Sequence, residues 1–91
     1  MTYKQITDKI YEKGFHRCTV AHDCEDSDGM PLKVFDFEHK RRLDKFSIYL
    51  DEFDEVKYVE FTKVTFNPNT ERYTQNVTRI TNNEVLKKYL A

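Results

Sequence analysis

The sequence predicts an α+β fold: a five-stranded antiparallel meander sheet with an N-terminal and a C-terminal helix, in the order α-β-β-β-β-β-α. Three observations carry this reading. Two runs rich in Val, Tyr, Phe and Thr, 56–66 and 71–80, flank the turn Asn67-Pro68-Asn69-Thr70. β-branched and aromatic side chains suit a pleated, half-buried surface, and proline presets the first bend of a type I turn. Both ends of the chain carry apolar residues at helical spacing behind a Thr-x-x-Gln or Thr-x-x-Glu capping signature. Every connection between the expected strands is short, so strands adjacent in sequence should pair antiparallel.

Taken in order, 2–13 reads as a helix, with Thr2 and Gln5 forming its capping box and Tyr3, Ile6 and Ile10 on one face. Gly14 suits the left-handed stop. The first strand is expected at 15–22, followed by an acidic loop in which Asp28-Gly29 makes a tight turn. Pro31 suits the start of an edge strand. The second strand, 32–38, places Phe35 and Phe37 on one face. The third, 45–50, points Phe46, Ile48 and Leu50 inward and Ser47 and Tyr49 outward. A helix over 41–53 competes with it, because Leu43, Phe46 and Tyr49 or Leu50 also fit a helical period. The fourth strand, 56–66, slips phase between Val59/Phe61 and Val64/Phe66, which calls for a β-bulge near Thr62-Lys63. The fifth should turn Tyr73 and Val77 inward. The last helix opens at Thr81, with Thr81 and Glu84 as a second capping box and Leu86, Tyr89 and Leu90 as its apolar stripe. Both helices should cover one face of the sheet.

A chain of 91 residues is expected to form one domain, 1–91, with a small core. Seven Phe, six Tyr and no Trp make that core a matter of a few large rings. The start of the chain has no apolar segment of the signal-peptide kind, and no apolar run approaches the length of a membrane span. Cys18 and Cys24 lie too far apart on an extended chain to bridge, so reduced thiols and a cytoplasmic location are expected.

Fifteen basic residues nearly cancel 16 acidic ones, leaving a net charge of −1. Such a balance argues against a general nucleic-acid binder. The layout is nonetheless polar. In a meander, alternate turns fall at one end of the sheet. Asp23, Glu25, Asp26 and Asp28 should therefore meet Asp51, Glu52, Asp54 and Glu55, with no base among them, while His39, Lys40, Arg41, Arg42 and Lys45 occupy the other end. A strongly acidic end can steer a basic partner. A solvated surface with no partner is the plain alternative.

Motifs for chemistry are few. The stretch 24–35 puts Gly29 at the sixth place of an EF-hand-like loop, but Cys24 and Phe35 then occupy the first and twelfth places, where calcium needs oxygen ligands. His16, Cys18, His22 and Cys24 form two His-x-Cys pairs that a straight strand keeps apart, so no metal or cofactor is expected. Acidic neighbours would raise a thiol pKa, which opposes a thiolate nucleophile. With two glycines there is no phosphate loop, and no serine sits in a nucleophile elbow.

The expected function is non-catalytic binding of a protein partner with a basic surface through the acidic end, and no enzyme activity. An unpaired edge strand would offer a further contact, including a homodimer. In size, absence of catalytic motifs and acidity at one end, the chain is similar to small inhibitors of host nucleic-acid enzymes encoded by phages and mobile elements, such as anti-restriction and anti-CRISPR proteins. That is a resemblance of type, and no motif assigns a family. The runner-up is a nucleic-acid-binding module using Lys40, Arg41, Arg42 and Lys45 with Tyr49 as a stacking ring. A small metal-dependent or toxin-like nuclease comes third.

Overall fold

The computed structural model describes residues 1–91. Two helices, α1 (Tyr3–Glu12) and α2 (Asn83–Leu90), accompany six strands: β1 (Phe15–Arg17), β2 (His22–Glu25), β3 (Pro31–His39), β4 (Lys45–Leu50), β5 (Val56–Asn67) and β6 (Arg72–Ile80). All pairings are antiparallel, in the order β1-β3-β4-β5-β6, with β2 also on β3. The helical alternative over 41–53 is replaced by a turn and β4.

The expected first strand is broken in two. Between Arg17↔Phe37 and His22↔Val34 the edge holds four residues, 18–21, against two on β3. The Cys18 N–H donates to the Asp36 carbonyl at 2.9 Å and keeps the bulged segment against β3. Half of the expected acidic loop, through Glu25, is therefore strand. Pro31 opens β3, an interior strand rather than an edge, at the one position where a missing N–H is tolerated.

Phe37, Phe46, Ile48, Leu50, Val59 and Ile80 face the helices and pack with Ile6, Ile10, Phe15, Leu86 and Leu90 in one core. Phe15 and Phe46 meet edge-on with centroids 5.0 Å apart. α1 carries the expected capping box of Thr2 and Gln5. Gly14 follows with φ +90, and a Cβ there would lie 2.8 Å from His39 Nε2, so both backbone and space demand glycine. α2 is capped by Asn82 rather than Thr81: Asn82 Oδ1 accepts from the Glu84 and Val85 N–H groups. Asparagine caps as well as threonine, and Thr81 stays outside the helix.

The bulge is not at Thr62-Lys63, where the β5–β6 register runs unbroken. It lies at Tyr49/Leu50, where Leu50 pairs with Val56 and Tyr49 with Tyr58, leaving Lys57 as the extra residue. This shift puts Val56 on the helix side with Val59 and Phe61, where the core is. Toward the other end of β5 there is no core to reach. β4 stops at Lys45, opposite Thr62, so the rest of β5 pairs only with β6 and projects as a two-stranded ribbon. Tyr73 and Val77, expected inward, are 63% and 57% exposed, and Phe66 is 50% exposed.

Candidate functional site: an acidic end with an exposed aromatic

The β2–β3 and β4–β5 turns lie at one end of the sheet and the β3–β4 turn at the other, as the meander requires. Asp23, Asp51, Glu52 and Asp54 line one shallow groove of about 190 Å³ with Pro31, Leu32 and Lys33. Glu25, Asp26 and Asp28 line a neighbouring one with Lys57 and Arg79. The end is not free of bases: Lys33 is the cross-strand partner of Asp23, and Lys57 Nζ lies 2.6 Å from Asp26 Oδ2. The bulge that releases Lys57 from the ladder is what lets it reach this turn.

Two of the eight carboxylates shape their own loops. Asp26 Oδ1 accepts from the Asp28 and Met30 N–H groups, each at 2.9 Å. Asp51 Oδ1 accepts from Phe53 N–H at 2.9 Å and Glu55 N–H at 3.0 Å. These are local turn bonds of the kind aspartate makes well. Lys57 and the two backbone donors hold the Asp26 carboxyl below its usual range. Glu25, Asp28, Glu52, Asp54 and Glu55 make no side-chain ion pair and stand at the surface.

Sequence reasoning overlooked Phe53. Bonds to Asp51 close the turn, Asp54 takes φ +60, and the phenyl ring is left 76% exposed between acidic neighbours. Met30, in the adjoining turn, is 45% exposed. The signal was present in Asp-Glu-Phe-Asp-Glu, an apolar ring in the middle of a turn that has no core position for it.

The basic turn is less available than its composition implies. Arg42 is held by Asp44, whose other oxygen accepts the Val64 N–H at 3.2 Å. Lys45 lies half-buried in β4 opposite Glu38. Lys40 and Arg41 are exposed. Tyr49 is not at this end at all. It lies near the far end of β4, stacked on Tyr58 with centroids 4.4 Å apart. Burial, and then the Glu60 carboxylate beside it, push its phenol far above the ordinary value.

The helix-free face of the sheet holds a polar group around Asp36. Ser47 Oγ donates to Asp36 Oδ1 at 2.5 Å, and His22 Nε2 lies 2.9 Å from Asp36 Oδ2. The residue types are those of a hydrolase triad, but the order is wrong. The carboxylate stands between serine and histidine, so no base faces the serine hydroxyl. Burial opposes the Asp36 charge, yet the Ser47 and His22 bonds outweigh it and lower its pKa. His16 and Cys24 oppose Glu38 and Leu32, six residues apart on β3, or about 20 Å. The two His-x-Cys pairs therefore do not converge, and no three His, Cys, Asp or Glu side chains cluster for a metal. Cys18 and Cys24 are free thiols, both raised in pKa, by burial first and then by Glu38 and Asp36 for Cys18 and by Glu60 and Asp23 for Cys24. No helix is long and apolar enough to cross a membrane.

These features define an α+β fold whose acidic turns share one end of the sheet and whose basic turn lies at the other. No family model, curated protein or solved structure matches the chain.

Proposed function

We propose that the chain is a non-catalytic protein-binding module that presents its acidic end to a basic surface of a partner, acting as a small inhibitor of the kind carried by phages and mobile elements against host nucleic-acid enzymes. The observation that supports this reading is Phe53, exposed among Glu52, Asp54 and Glu55. Interfaces draw most of their energy from a few aromatic or arginine anchors seated in pockets, while the surrounding charges set approach and orientation. Phe53 is the anchor and the free carboxylates are its steering field. The partner is then a protein carrying an apolar socket ringed by Lys or Arg. The two unbridged thiols fit a reducing compartment such as the cytoplasm.

The test is capture of binding proteins from lysate, with and without nuclease treatment, by three immobilised chains. These are the natural sequence, a variant carrying F53A, E52Q, D54N and E55Q, and a variant carrying K40A and R41A. Asp51 is left unchanged because it closes the turn. The expected result is a partner held by the first and third chains and lost from the second. If the Lys40/Arg41 variant alone loses its partner, or nuclease removes it, the nucleic-acid reading replaces this one.

A further inference from the structure

β6 ends the sheet with no strand beyond it. Natural edges are blunted by short or broken strands, proline, lysine or inward charge. The opposite edge is treated in that way: β1 and β2 are three and four residues long, are interrupted at 18–21, and carry His16, Arg17, Asp23 and Glu25. β6 is not. It runs nine residues without Pro, Gly or Lys, in unbroken register with β5, and 73–78 carry no charge. Only Ile80 is buried. On the helix-free face Phe66 and Tyr73 lie with ring centroids 4.9 Å apart, and Val77, four residues further along the same face, is also exposed.

We propose that β6 is a homodimer interface, in which β6 of a second copy adds antiparallel across a twofold axis at Gln75 to give one continuous sheet. The side chains of β6 are self-complementary in this register. Tyr73 faces Val77 of the second copy, Thr74 faces Asn76, and Gln75 faces itself. Glu71, outside β6 with φ +55, is not part of the ladder, and Arg79 keeps its own partners, Glu60 and Tyr58. Aromatic–β-branched pairs such as Tyr73–Val77 are among the cross-strand combinations that stabilise sheets. Arg72 faces Thr78, so no like charges oppose. Moving the axis to Asn76 sets Tyr73 against Arg79, and moving it to Thr74 sets Tyr73 against Gln75; neither pairs Tyr73 with Val77. The partnered numbers sum to an even value, so residues whose N–H and C=O point away from β5 meet residues pointing the same way, and helix-free faces stay on one side. The Phe66–Tyr73 pair of each copy then continues into Val77 of the other, which covers the apolar cluster that the monomer leaves open. The centre of this interface, Tyr73 to Val77, lies away from the Phe53 turn, although Arg79 at the end of β6 lines the groove of Glu25, Asp26 and Asp28.

Sedimentation velocity of the full chain over a range of concentrations should show a species of twice the monomer mass. Replacing two exposed residues as Y73K/V77K sets lysine against lysine twice and removes both apolar pairs. It should weaken dimerisation at least about tenfold while circular dichroism shows the fold retained. In a C18S/C24S background, mild oxidation should cross-link Q75C into dimers and leave N76C and T74C uncross-linked. A natural chain that is monomeric throughout, a dimer indifferent to Y73K/V77K, or N76C cross-linking in preference to Q75C would overturn the proposal.

Discussion

Asp36 is the residue whose surroundings most constrain its chemistry. Its charge is opposed by partial burial and favoured by Ser47 and His22, and the favourable bonds prevail. A carboxyl with a folded pKa below its unfolded value contributes stability that is complete above the unfolded value, near 3.9, and is lost as pH falls through the folded one. Asp36→Asn removes that contribution. Its unfolding free energy should be about 1–2 kcal/mol lower at neutral pH, a figure discounted because His22 is half exposed. Below about pH 4 the gap should narrow, because the unfolded carboxyl takes up its proton first and the folded one follows only at its lower pKa. Urea melts of both chains between neutral and acid pH check this; a gap of constant size would mean that Asp36 acts by packing alone.

At the scale of elements, β5 and β6 are two structures in one hairpin. Near Val59 and Ile80 they are backed by the core, and beyond Lys63 and Asn76 both faces are open. A two-stranded ribbon is marginal in water without a third strand or a packed face. In the monomeric Y73K/V77K chain, amides of 63–67 and 72–76 should exchange far faster than those of 56–61, by hydrogen-exchange mass spectrometry. In the natural chain at high concentration, protection over 72–78 should rise if the second copy adds to β6. Equal protection along the whole of β5 in the monomeric variant would show a ribbon that holds without help.

The whole molecule is near neutral, yet its charges are sorted by the meander into ends. Lys33 and Lys57 temper the acidic end, and Asp44 ties down one of the basic residues at the other. What remains for a partner is a field from exposed carboxylates around Phe53. Such a field acts over about 10 Å at 0.1 M salt and about 3 Å at 1 M. Association with a captured partner should therefore slow steeply with added salt while dissociation changes little. F53A should do the reverse, raising the dissociation rate with a small effect on association. Surface plasmon resonance at several ionic strengths separates the two, and a salt-insensitive association rate would remove the carboxylates from the interface.

Periodicity alone specified both helices, the Thr2–Gln5 cap, the Gly14 stop, the antiparallel order of the strands and the meeting of the two acidic turns, because each rests on spacing within one segment or on short connections. It misplaced the bulge, the inward direction of Tyr73 and Val77, and the second cap. In each case alternation or a capping pattern shows that side chains share a face or a role, but not whether anything lies opposite. Where β4 stops decides that Val64, Phe66, Tyr73 and Val77 have no core to enter. Where the core sits decides that the bulge falls at Lys57 and brings Val56 to the core side, while the slip between Val59/Phe61 and Val64/Phe66 persists and leaves the second pair on the helix-free face. The availability of each charged residue was likewise hidden, since Lys57 reaches Asp26 and Arg42 reaches Asp44 only once the chain is folded. A strand's pattern is local, whereas an edge, an exposed ring and an unpaired charge are properties of what the rest of the molecule leaves uncovered.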